Sequence, residues 1–66
     1  MSKFNHVLFS KALKESGLKD NFVAKKMGVS RITITAWKYG KVIPSMEHLN
    51  NISEMFKIEV SNLIEE

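Results

Sequence analysis

Glycine falls at positions 17, 28 and 40, about a dozen residues apart, and the one proline, Pro44, follows the third. This spacing constrains the fold more than any other feature. Glycine and proline are the residues that most readily interrupt helices and strands, so each uninterrupted segment is short. Brief helices joined by tight turns fit that punctuation. The chain has 66 residues and no cysteine, so neither a disulfide nor a thiolate-bound metal can support a core this small. Stability must come from compact helical packing or from a second copy. A reducing cytoplasm suits such a chain. No apolar run approaches the roughly 18 residues of a membrane span, and Met-Ser-Lys-Phe-Asn-His lacks a signal-peptide core.

Between the interruptions, apolar residues recur at helical spacing. Asn5 to Ser16 carries Leu8, Phe9, Ala12 and Leu13 on one face, with Gly17 at its end. Asp20 to Met27 carries Val23, Ala24 and Met27, with Lys25 and Lys26 outside and Gly28 as terminator. A further helix starts after Pro44, with Ser45 as cap and Glu47 in the positive first turn. Met46, Leu49, Ile52 and Phe56 make its apolar stripe. The last segment, Val60 to Glu65, has Leu63 and Ile64 as anchors, while Ile58 and Val60 fit a strand equally well.

The stretch Gly28-Val-Ser-Arg-Ile-Thr-Ile-Thr-Ala-Trp-Lys-Tyr-Gly40 is ambiguous. Ile32-Thr33-Ile34-Thr35 alternates like a strand. The only partner would be Lys57 to Val60, and two short strands make a poor sheet. Wound as a helix at about 100° per residue, Ile34 and Trp37 share one side. Ile32, Thr35, Ala36 and Tyr39 gather on the other, flanked by Arg31, Lys38 and Lys41. Ser30 is a good cap for this helix. An outward face of small and apolar residues among cations is odd for water and suits a surface that meets something else.

The charge distribution agrees. The net charge is +3, but residues 1–41 carry +7 and residues 42–66 carry −4. A basic half beside an acidic half suits a molecule that presents one side to a polyanion.

Val23, Ala24, Met27, Gly28, Val29, Ile34 and Trp37 together describe two helices packed across a tight turn. Ala24 is small where the helices cross, and Gly28 supplies positive φ. With Gly40-Lys41, Pro44-Ser45 and Leu49, the chain resembles the Cro / lambda-repressor-like (XRE-type) helix-turn-helix family of bacterial and phage DNA-binding domains, over about residues 7 to 64. The resemblance implies an all-α, compact five-helix domain spanning residues 1–66, whose second and third helices form the helix-turn-helix. The third would lie in the major groove. Arg31, Ile32 and Ala36 match the positions that touch base edges, and Ser30, Thr35, Tyr39 and Lys41 match phosphate or further base contacts. The chemistry is suitable. Arg31 can donate twice to guanine, and Ile32 and Ala36 can pack on thymine methyl groups. Lys41 suits a phosphate oxygen.

Four departures stand out. Lys19-Asp20 replaces a Thr-Gln pair whose glutamine helps bind phosphate. Asp20 can cap the second helix but repels phosphate there, leaving Lys19 as the substitute contact. Leu13 and Lys38 replace an arginine–glutamate pair between the first and third helices, both charges lost together, as an ion pair in a core requires. Lys38 can lay its stem along Leu13 and aim its ammonium at the DNA backbone. Lys57 stands where a glycine commonly ends the fourth helix. Residues 1–6 precede the family core, as an arm reaching DNA through Lys3 or as a frayed terminus, the second being preferred.

Nothing here suggests catalysis. His6 and His48 lack ligand spacing, His48 points outward, and no phosphate-binding loop or nucleophile triad is present. No cofactor or metal is expected. The expected function is a sequence-specific regulator, in the role of a repressor, that binds duplex DNA at a near-palindromic operator as a homodimer. Phe56, Ile58, Val60 and Ile64 are the expected dimer surface. Two alternatives remain: an antitoxin of the same fold with a toxin as protein partner, and an interaction module that has lost DNA binding. A phage, plasmid or chromosomal origin is left open.

Overall fold

In the computed structural model, which describes residues 3–65, five helices follow one another in the order the punctuation implies. They are α1 (His6–Ser16), α2 (Asp20–Met27), α3 (Arg31–Lys38), α4 (Met46–Phe56) and α5 (Val60–Leu63). Two-residue strands, β1 (Lys3–Phe4) and β2 (Ile64–Glu65), flank the set and pair antiparallel, Phe4 opposite Ile64.

The helix ends are set by local chemistry. Asn5 Oδ1 accepts the Leu8 N–H at 3.1 Å, Ser30 Oγ the Thr33 N–H at 3.2 Å, and Ser45 Oγ the His48 N–H at 3.3 Å. Each occupies a donor that the first turn of a helix cannot satisfy internally. At the other ends the Val29 N–H reaches the Ala24 carbonyl at 2.9 Å and the Lys41 N–H the Ala36 carbonyl at 2.9 Å. Such long closing bonds need a left-handed residue just before the donor, and Gly28 (φ 70°) and Gly40 (φ 73°) supply it. Gly40 has a second reason: a Cβ there would sit 2.5 Å from the His6 ring.

The core comprises Phe4, Phe9, Leu13, Val23, Ala24, Met27, Ile34, Trp37, Leu49, Ile52 and Leu63. Phe9 is its hub, with ring centroids 5.7 Å from Phe4, 6.2 Å from Trp37 and 6.1 Å from Phe56. The last two contacts are edge-on, the geometry that aromatic quadrupoles favour. Packing between α2 and α3 is the most extensive helix–helix contact, and α3 also packs on α1.

Several expectations are corrected. The final helix does not run to Glu65: it stops at Leu63, and Ile64 enters β2. Neither Ile58 nor Val60 is in a strand. The N-terminal stretch is not a free arm from residue 3 onward, because Phe4 is buried and the Asn5 N–H bonds the Leu63 carbonyl at 2.7 Å. Met1 and Ser2, the rest of that expected arm, lie outside the described residues. Met46 is 62% exposed rather than in the core stripe, lying about 60° from Leu49 on the helix wheel while Ile52 and Phe56 lie on the other side. Phe56, Ile58, Val60 and Ile64 are half-buried and already packed against the core, which lessens the apolar area they offer a second copy.

Candidate nucleic-acid interface

Helix α3 has two unlike faces. Ile34 and Trp37 are fully enclosed, whereas Ile32 is 79% and Tyr39 66% exposed. Arg31 and Thr35 are exposed and Ala36 is half-buried on the same outer side. The Thr35 hydroxyl donates to the Arg31 carbonyl at 3.2 Å, which leaves its oxygen lone pairs outward as acceptors. Arg31 and Lys41 are exposed and make no ion pair among the described residues. Lys19 is exposed too, at the residue that precedes α2. The structure therefore gathers Arg31, Ile32, Thr35, Ala36 and Tyr39 on one open surface, with Lys41 just past its end.

Two expected contacts sit differently. Ser30 Oγ is engaged by the Thr33 N–H and lies 3.1 Å from the Thr33 hydroxyl, so its work is to start α3. Lys38 does not aim its ammonium at open solvent: Nζ lies 3.0 Å from Asp20 Oδ2, with both side chains less than a third exposed. Asp20 in turn is not the cap of α2. It is the first helical residue, Lys19 occupies the cap position without a side-chain bond, and the carboxylate crosses to α3.

The sequence reading also missed what anchors the far end of α3. The Lys38 carbonyl accepts from the Ser10 hydroxyl at 2.9 Å and lies 3.2 Å from His6 Nδ1. Since a carbonyl only accepts, Nδ1 is the protonated ring nitrogen. His6 and Ser10 are one helical turn apart on α1, a spacing that was the available signal. His48 is likewise not simply solvated. Its ring packs 5.2 Å from Trp37 and its Nδ1 lies 3.1 Å from Ser45 Oγ. The α3 helix is thus fixed at both ends while its outer face stays free, an arrangement that positions side chains against a partner's surface. Among the described residues, no group of three or more His, Asp or Glu side chains could hold a metal. No helix is long and apolar enough to cross a membrane.

A helix of this size with Arg31 in its first turn fits the major groove of B-DNA, about 12 Å wide. Comparisons with known proteins point the same way. A helix-turn-helix family model matches residues 10–63. A solved crystal structure from Bacteroides fragilis, described as that of a "putative DNA-binding protein", superimposes with a TM-score of 0.79 and 26% identity, over 98% of this chain and 100% of that one. No curated protein matches the chain. The family match covers the two helices, the turn and the elements that brace them, and the chain belongs to the Cro / lambda-repressor-like helix-turn-helix family of DNA-binding regulators, not to a family of enzymes.

Proposed function

We propose that this chain is a sequence-specific transcriptional repressor that binds a near-palindromic operator as a homodimer. The observation that carries the reading is the outer face of α3. An isoleucine left 79% exposed beside an arginine that makes no ion pair among the described residues, on a helix held at both ends, has no role in the fold. In the major groove each group finds a partner. Arg31 donates to guanine O6 and N7, and Ile32 and Ala36 cover thymine methyl groups. The Thr35 oxygen accepts from a base amino group, and Tyr39 offers its hydroxyl to a base or a phosphate. Lys41 and Lys19 neutralise phosphates and supply the salt-dependent part of the affinity. Two copies would set their α3 helices about 34 Å apart on one side of the duplex. The second copy is proposed to meet the first through what remains exposed of Phe56, Ile58, Val60 and Ile64. Such a protein acts where the DNA is, in the cytoplasm, and needs no cofactor.

Selection of binding sites from a random duplex library tests the proposal. An inverted repeat with half-sites one helical turn apart supports it. Sedimentation at high micromolar concentration tests the dimer, and a monomer there counts against it. The apolar character of Ile32 and Tyr39 favours one second reading, an interaction module that has lost DNA binding and uses the same face to bind a partner protein. A well-folded sample that enriches no sequence would favour that reading.

A further inference from the structure

Residues 17–46, which hold α2, α3 and the turns beside them, contain six cations (Lys19, Lys25, Lys26, Arg31, Lys38 and Lys41) and one acid, Asp20. That one carboxylate is placed on a cation of the recognition helix, Asp20 Oδ2 to Lys38 Nζ at 3.0 Å. Stability does not account for the arrangement. The two side chains are 28% and 29% exposed, and ion pairs so open to water contribute little to folding. The positive end of α2 favours an acid at Asp20, but it does not require a lysine opposite. The pair does have an electrostatic effect. Lys38 follows Arg31 by two helical turns and so lies on the same side of α3. Released, its flexible stem would reach a phosphate beside the contacts of Arg31 and Lys41.

We infer that Asp20 sets the sequence-independent part of the affinity: it holds the Lys38 ammonium off the DNA and lowers affinity for duplex of any sequence. The inference rests on the DNA-binding reading. Each neutralised phosphate adds sequence-independent affinity and carries no sequence information. Withholding one cation therefore weakens binding to operator and random duplex alike and leaves the base contacts of Arg31, Ile32 and Ala36 untouched. The same carboxylate also faces any phosphate that approaches the first turn of α2.

The test is fluorescence anisotropy of a labelled random-sequence duplex between 50 and 200 mM salt, with wild type, Asp20→Asn and the double variant Asp20→Asn/Lys38→Met, each with a thermal melt. Asp20→Asn should bind the duplex more tightly. Its ratio of affinities at the two salt concentrations should rise roughly three- to four-fold, as one added phosphate contact requires. The double variant should return to the wild-type slope. A folded Asp20→Asn with an unchanged slope overturns the inference, as does a steeper slope that persists in the double variant. Should Asp20→Asn not fold, the double variant decides alone. A slope shallower than wild type means Lys38 touched phosphate all along, which overturns the inference, and an equal slope supports it. Wild type without salt-dependent DNA binding overturns the function proposed above together with this inference, whereas wild-type binding with the wrong variant slopes overturns the inference alone.

Discussion

The two sides of α3 carry similar residue types and have opposite fates. Ile34 and Ile32 are two residues apart, yet one is fully enclosed and the other 79% exposed. Trp37 and Tyr39 differ in the same way. On the inner side, apolar area is removed from water against Phe9 and the α2 residues, each fully buried side chain contributing about 1.5–3 kcal/mol. On the outer side a similar chemistry contributes nothing to the monomer. The inner face is explained by folding and the outer face is not, and the proposed interface rests on that contrast.

The comparison breaks most easily from the inside. Trp37→Ala should cost about 3–5 kcal/mol, because it removes a ring packed on Phe9 and His48 and leaves a cavity into which the core relaxes only partly. In a domain of this size that is most of the stability. A chemical denaturation curve is the measurement, and a loss under about 1 kcal/mol would mean the core repacks around the gap. Arg31→Ala is the outer counterpart. It should leave the denaturation midpoint within about 0.5 kcal/mol of wild type. It should weaken operator binding by about 1–3 kcal/mol and relax preference at one base pair. Equal loss on operator and random duplex would remove Arg31 from base recognition. Lys41→Ala should act differently from both, weakening every sequence alike and flattening the salt dependence by about one contact.

Which parts of this were readable in advance follows from the range of the interactions. Helix starts at Ser30 and Ser45 and stops at Gly28 and Gly40 depend on neighbours within a turn, so the end of α2, both bounds of α3 and the start of α4 are legible directly. The division of α3 into faces follows from its period alone, and Ile34, Trp37, Ile32 and Thr35 fall where a helix puts them. Contacts between distant segments were not legible. Phe4 pairs with Ile64 across nearly the whole chain, and nothing local announces a strand of two residues. Asp20 and Lys38 lie on different helices, so Asp20 reads as a cap and Lys38 as a phosphate contact until the helices are set side by side. His48 and Met46 both lie at the edges of the α4 stripe. Only the tertiary fold decides that Trp37 covers the first and leaves the second open.

A last variant separates stability from binding without touching either face of α3. Helix α4 closes as α2 does, with the Ile58 N–H on the Ser53 carbonyl at 3.1 Å, but the left-handed residue is Lys57 (φ 56°) instead of glycine. A side chain in that conformation costs roughly 1–2 kcal/mol. Lys57→Gly relieves it and loses part of the gain, because glycine is freer in the unfolded chain. The net should be about 0.5–1 kcal/mol of added stability, or roughly 2–8 °C in Tm for a domain this small. Operator affinity should stay the same if α3 is already rigid and its outer face alone sets binding. A rise in affinity that tracks the rise in Tm would show instead that α3 is incompletely ordered before it meets DNA. The contrast between its faces would then describe the bound protein better than the free one.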